Sequence, residues 1–338
     1  MGRGVARYDP GVTTLFVFVD GVGAGDRDPA TNPLARGDFL LSRFADGGGA
    51  PLPRGGRAAL ADACLGVAGR PQSATGQATL LTGENAPAHL GRHLLGFPNA
   101  PLRALLQERS LFRALAAAGR RGAFANAYPV AYLRALGHAA DGAPEPALAG
   151  SRRRARAAAT TVAYAAGGGR FRTLEDARRG EGLTHDLTGE RARGLGVSLP
   201  RRAPEEAAEI LLRLAAGHDL ALFEFFETDE AGHARSMERA LDALGRLDAF
   251  LRALVDGLGP EDALVVTSDH GNLEDLSLRN HTLAPVPLLG FGRAAAEVEQ
   301  VRDLTGVAPL LLRLAGADAP AGGQPRRTTL ATSQSRSP

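Results

Sequence analysis

Residues Ala263–Asn272 read ALVVTSDHGN, and the fold turns on how that stretch is taken. Ala263–Thr267 is a short apolar, β-branched run, suited to a strand buried on both faces. It ends abruptly in Ser268-Asp269-His270-Gly271-Asn272. A carboxylate beside an imidazole at the C-terminal lip of a parallel strand stands where open α/β sheets hold their ligands. Neighbouring side chains on a strand point to opposite faces, but both can converge where the strand gives way to a turn. Taken alone, the pentapeptide reads equally well as a polar turn.

Three other stretches supply partners for it: Phe16–Gly21 (FVFVDG), Gln72–Gly76 (QSATG) and Asp229–His233 (DEAGH). His281-Thr282 follows just downstream. Asp229 and His233 stand four residues apart, so one helical turn puts both on the same face. The chain therefore offers Asp20, Asp229, Asp269, His233, His270, His281 and a serine hydroxyl. Carboxylates and imidazoles in this mixture suit borderline-hard divalent ions, Zn or Mn rather than Ca. Two such ions about 3.5–4 Å apart can clamp an in-line displacement at phosphorus.

The order Asp, Ser, Asp-x-x-x-His, Asp-His-Gly-Asn, His-Thr-x-x-Pro-Val-Pro resembles the alkaline phosphatase superfamily. Within it, the branch holding cofactor-independent phosphoglycerate mutase and phosphopentomutase is the nearest. The resemblance covers roughly the first third of the chain and the stretch from Leu220 to Ala315. It implies an α/β three-layer sandwich with a mainly parallel central sheet flanked by helices. It also implies two divalent metal ions, Mn or Zn, with Asp20, Ser73, Asp269 and His270 at one and Asp229, His233 and His281 at the other. Ser73 is then the catalytic nucleophile.

Composition sets the outer bounds. A chain of 338 residues accommodates one large α/β domain or two ordinary ones. Apolar content of 44% is ordinary for a globular protein with a sizeable core. Net charge is +2 and every basic residue is arginine; there is no lysine. No basic stripe interleaved with aromatics is present and Trp is absent, which disfavours nucleic acid as a partner. The single cysteine, Cys64, excludes an intrachain disulfide and fits a reducing compartment. The N-terminus lacks the pattern of a secretory leader, and no apolar run has the length to span a bilayer. A cytoplasmic protein without membrane partners is expected.

In chain order, Thr13–Val19 reads as a buried first strand ending at Asp20. The following GVGAGD resembles a dinucleotide fingerprint, but RDPATNP comes next where a helix should start. Pro33–Asp46 reads as a short helix, and Gly47–Arg57 as a loop. In RPQSATGQATLLTG, Ser73 is the candidate nucleophile and Thr75 its rival. A helix beginning at Ala78–Leu81 would favour an anion at its start. The related mutases carry a histidine where Gln77 stands here. Thr75, Gln77, His89, Arg92 and His93 are candidate substrate residues. Leu102–Ala118 has helical spacing, and Gly122–Tyr128 reads as a strand. Residues 137–155 read as an exposed loop running into a helix start. Arg170–Gly180 and Leu183–Gly189 read as irregular, with His185 and Asp186 solvated. Pro204–Ala216 is an amphipathic helix with two glutamates in its first turn. Leu220–Phe226 reads as a strand, Arg239–Leu258 as a long helix, Pro287–Gly292 as an edge strand and Leu304–Leu314 as a final helix.

These segments make one metalloenzyme domain over residues 1–316, with a small cap-like insertion within about 84–202. Residues 317–338, rich in Gly, Pro, Ser and Thr, read as a disordered tail. The mutases insert a large domain between nucleophile and later metal motifs. They also place a lysine in the phosphoryl site. With a reduced insertion, Gln77 and no lysine, the chain reads first as a hydrolase of a phosphomonoester on a small metabolite, acting through a phosphoserine. A phosphomutase is the alternative. Phosphodiester or phosphonate hydrolysis, and a non-catalytic metal-binding protein on the same fold, are further readings. Oligomeric state is not legible.

Overall fold

The computed structural model describes residues 12–145 and 155–317. Residues 146–154, within the segment 137–155, and the tail beyond Ala317 lie outside the described residues. The chain opens with β1 (Thr14–Val19), every residue of which is buried. β2 (Arg57–Ala61), α1 (Ser73–Thr82), α2 (Ala86–Leu90), α3 (Ala100–Arg109) and α4 (Leu111–Ala117) follow. Next come β3 (Gly122–Phe124), β4 (Ala127–Tyr128), α5 (Val130–Ala135), α6 (Ala159–Ala166) and β5 (Arg172–Thr173). α7 (Leu174–Arg179), α8 (Glu190–Gly194), α9 (Pro204–Ala215) and β6 (Leu220–Phe225) lead back to the core. α10 (Glu227–Ala234), α11 (Met237–Gly257), β7 (Ala263–Thr267), β8 (Val286–Gly292), α12 (Ala295–Val298) and α13 (Val307–Leu314) complete it.

The central sheet has six strands in the order β2-β8-β7-β1-β6-β3. β1 pairs in parallel with β6 (Thr14 opposite Leu220) and with β7 (Thr14 opposite Ala263). β3 is parallel to β6, and β8 alone runs against its neighbours. Alternate side chains divide the core between two layers. Leu15, Val17 and Val19 pack with α9 and α11, whereas Phe16 and Phe18 pack with α1, α3, α4, α6 and α13. The expected three-layer architecture with a mainly parallel sheet is what the chain adopts. Because β1, β6 and β7 run the same way, their carboxyl ends share one rim, and Asp20, α10 and Asp269-His270 all begin there.

Several local expectations are corrected. Pro287–Gly292 is expected at an edge; β8 is instead paired on both sides, because Arg57–Ala61, of which the loop reading covers only Arg57, adds β2 outside it. Pro33–Asp46 forms only a 3-10 turn over Pro33–Arg36, capped by Asn32 and ended by extended Gly37. Leu102–Ala118 is broken at Ser110, which ends α3 and caps α4 by accepting from Arg113 N. Gly122–Tyr128 splits between sheets: β3 joins the core, while β4 pairs with β5 in a separate two-stranded sheet. Arg170–Gly180 is ordered as β5 and α7, with a Thr173–Asp176 capping box. The helix expected from Ala78 starts five residues earlier, at Ser73 itself. No helix among the described residues is long and apolar enough to cross a membrane.

α1 can approach the Asp269 turn because Gly76 has no side chain: a Cβ there would lie 2.6 Å from Asp269 O. Gly245, on the exposed face of α11, has open space around it. Gly245→Ala should therefore stabilise by about 0.5–1 kcal/mol through helix propensity alone. Gly76→Ala should destabilise by about 1–3 kcal/mol despite the same gain in propensity. Urea unfolding of the two variants measures the difference, and equal stabilisation would refute the close approach.

Candidate metal centre

Ser73 occupies the first turn of α1, whose start has no side-chain cap. The N-terminal end of the helix carries partial positive charge and suits an anion. Ser73 Oγ lies 3.0 Å from His270 Nε2. His270 Nε2 lies 3.4 Å from both Asp20 Oδ1 and Asp269 Oδ2. On α10, Asp229 and His233 share a face, with His233 Nε2 3.3 Å from Asp229 Oδ2. His281 Nε2 lies 3.2 Å from His233 Nε2 and 3.7 Å from Asp229 Oδ1. The His270 and His281 rings stack with centroids 3.7 Å apart. The seven expected residues thus come from five separate stretches into one cluster.

Two ligand-sized groups stand out within it. Asp20, Asp269 and His270 form one, and Asp229, His270 and His281 the other. His270 belongs to both, and His233 lies at the more exposed margin, touching Asp229 and His281.

The electrostatics are those of a site built for cations. Asp20 and Asp269 are pushed well above the usual carboxylate range, first by burial and then by repulsion from neighbouring carboxylates. Burial also pushes Asp229 up, but the His233 hydrogen bond and the nearby imidazoles outweigh it and hold Asp229 at about 2. Burial takes His270 down to about 3 and lowers His281, so both are neutral donors of the kind metals bind. Asp20 Oδ1, Asp269 Oδ2 and His270 Nδ1 are buried without a hydrogen-bond partner. Orphaned carboxylate oxygens facing one point are costly without a cation. The donor set therefore fits divalent metal. His281 Nδ1 is bonded to Pro71 O, which leaves Nε2 for the cluster.

The substrate candidates separate from the cluster. Thr75 is fully buried; its hydroxyl donates to Gln72 O and accepts from Leu94 N, so Ser73 alone of the two rivals faces the histidine. Gln77 Nε2 donates to Asp20 Oδ2 at 3.3 Å, which orients a carboxylate rather than a substrate. His93 Nε2 bonds Val67 O, while His89 and Arg92 are exposed. Asp186 is buried rather than solvated, and His185 is half-buried. Asp186 is 3% exposed and accepts from Gly189 N and Arg191 N. Burial against Tyr128 and Phe226 takes His185 down to about 4.

Four groups escaped the sequence reading. Asn272 Nδ2 donates to Asp229 Oδ1 at 2.7 Å, and Thr228 Oγ1 to Asp20 O at 2.6 Å. Glu274, 2% exposed, sits behind the cluster. Glu224 on β6 takes a hydrogen bond from Thr160 Oγ1 at 2.7 Å, and its charge helps raise Asp20. A lone acid in the otherwise apolar LALFEF run was a usable signal for Glu224. Nothing in the local sequence distinguishes Glu274 from a surface acid.

Comparison with known proteins defines the class. Residues 194–319 match the family model described as Metalloenzyme superfamily. Over 145 residues the chain is 32% identical to the 2,3-bisphosphoglycerate-independent phosphoglycerate mutase of Paracoccus denitrificans, covering 40% of this chain and 27% of that protein. The chain spans about a quarter of the length of the curated relatives it matches. The PH0037 protein from Pyrococcus horikoshii superposes with TM-score 0.55 at 16% identity, over 92% of this chain and 99% of that one. An alkaline phosphatase from the Antarctic bacterium TAB5 gives 0.52 at 12%, over 90% and 98%. Residues 194–319 are thus similar to the metalloenzyme superfamily, and the chain has an alkaline phosphatase-like fold.

Burial raises Glu224 from 4.5 to about 7. A folded pKa above the unfolded one stabilises the metal-free chain at low pH, and that contribution disappears as pH rises from about 4.5 through about 7. Glu224→Gln should therefore match wild type near pH 4.5 and exceed it by up to about 3 kcal/mol above pH 7. Denaturant unfolding in chelator at both pH values reads the gap, and a constant gap would mean Glu224 stays ionised.

Proposed function

We propose that the protein is a dinuclear metal-dependent phosphoryl-transfer enzyme that hydrolyses a phosphomonoester of a small metabolite through a phosphoserine. The observation that carries this reading is Ser73 Oγ at a helix start, 3.0 Å from His270 Nε2, facing buried carboxylate oxygens that have no partner. Asp20, Asp269 and His270 would hold one ion, and Asp229, His281 and His233 the other, with His270 lying between the groups. Mn or Zn suits the mixed O/N donors. When bound, such ions neutralise charge on phosphoryl oxygens and favour the ionised serine hydroxyl.

The chain's own residues do the positioning. α1 holds Ser73 on the rim and presents the positive end of its dipole to the phosphoryl group. Ser73 Oγ forms a bond to phosphorus while the ester oxygen departs as the alcohol. Water then displaces Ser73 and releases free phosphate. Gln77 and Thr228 fix Asp20 from its side chain and its carbonyl, so the carboxylate does not turn away.

Hydrolysis is favoured over mutation by the size of the insertion. Between residues 84 and 202, α3, α4 and α6 belong to the main core. Among the described residues, what is left besides α2 and α5 is β4–β5 with α7 and α8, over a small cluster of Ala127, Leu174, Ala177 and Leu199. That cap-like piece is small for retaining and turning over a freed product. A phosphomutase is the second reading, and the names of the relatives favour it.

Phosphorus NMR of a phosphosugar and phosphoglycerate panel, incubated with Mn(II) or Zn(II), separates the two. Free phosphate that falls about 10³-fold or more in Ser73→Ala is expected; a phosphoryl group that only changes position would retire the hydrolase. His281→Ala should leave a folded protein that has lost one ion and most of its turnover. Full activity with both ions retained would sink that assignment.

A further inference from the structure

Glu274 is a buried acid that the reaction does not use, and its contacts converge on the backbone that carries the metal ligands. Its Oε2 accepts from Gly23 N at 2.8 Å and from Asn272 N at 2.8 Å. Its Oε1 accepts from the Thr282 hydroxyl. Gly23 lies three residues past Asp20, Asn272 two past His270, and Thr282 directly after His281. Asn272 extends the chain of contacts, donating its side-chain amide to Asp229. One carboxylate therefore reaches the loops of Asp20, Asp269-His270 and His281, and through Asn272 the side chain of Asp229.

The glycines around it are there to admit this group. A Cβ on Gly23 would lie 2.4 Å from Glu274 Oε1, one on Gly25 2.8 Å from its Cγ, and one on Gly271 would collide with its Oε1. The GVGAGD stretch, so like a phosphate-binding loop on paper, is a seat for a carboxylate of the same chain.

We propose that Glu274 is a positioning residue that sets the spacing of both metal sites by tying their loops together through hydrogen bonds. Two backbone N–H groups and one hydroxyl match the acceptor capacity of a single carboxylate. Glutamine could keep the set, its carbonyl accepting from both amides and its NH₂ donating to Thr282. Alanine would leave the donors without their acceptor. Removing partners that orient metal ligands typically costs about 10–100-fold in affinity.

The inference rests on the metal centre proposed above but not on the reaction. Its test is Mn(II) binding by titration calorimetry to the full-length, chelator-stripped chain. Circular dichroism melts of each metal-free variant run alongside. Glu274→Ala should bind Mn(II) about 10–100-fold more weakly while still melting cooperatively. Glu274→Gln should recover most of that loss, and Thr282→Val should fall between them. Wild-type affinity in Glu274→Ala overturns the proposal, as does a loss in Glu274→Gln as large as in the alanine variant. If Glu274→Ala does not fold, Thr282→Val decides, and unchanged affinity there overturns the proposal. If the wild-type chain does not bind Mn(II), the same titrations are run with Zn(II), and failure to bind either ion overturns the metal centre and this inference together.

Discussion

Mutual repulsion among buried carboxylates is the constraint around which the molecule is arranged. Asp20, Asp229 and Asp269 lie at the shared rim of β1, β6 and β7, where burial and like charge penalise every ionised form. Only Asp229 has enough donors nearby, from His233 and Asn272, to stay well below the usual range. The other two depend on positive charge from elsewhere. A cluster with buried oxygens that nothing among the described residues satisfies is the arrangement a cation would relieve.

Packing keeps that arrangement from relaxing. Asp20 and Asp269-His270 directly follow strands buried on both faces, and Asp229 and His233 ride on α10 just after a third, so these candidate ligands are held on backbone that has little room to move. Bare glycines let α1 press on the Asp269 turn and let Glu274 enter between loops. Both approaches bring charge and dipole close to the rim. Phosphoryl transfer asks for this kind of fixed electrostatic surface more than for mobile acid–base groups.

The periphery is lighter. The two-stranded sheet β4–β5, with α7 and α8, has a cluster of its own with four buried apolar side chains, against several dozen in the layers on either side of the main sheet. Arg191 and Arg246, which border that region, are already paired with Glu227 and Glu230 of α10. Their charges are thus committed to bracing the helix of Asp229 and His233.

How far the sequence alone reached follows from the range of each interaction. Strands β1, β6 and β7, helices α9 and α11, and the residues of the metal cluster were readable because apolar periodicity and motif spacing are local. The place of β8 was not, since edge or interior depends on whether the distant Arg57–Ala61 pairs beside it. Ser110 breaks a continuous helical pattern by capping, and its competition with helix propensity is decided only in place. The motif favours Ser73 over Thr75, but the reason lies in the fold: the early start of α1 turns the Ser73 hydroxyl to the histidine and leaves that of Thr75 between Gln72 O and Leu94 N. Sequence by itself determined the candidate donor set and the central strands, because those are properties of residue type and spacing. Tertiary structure decided that His270 lies between both groups, that Gln77 serves Asp20, and that Glu274 is buried among the loops. Those depend on contacts between segments as many as 251 residues apart, which no local pattern encodes.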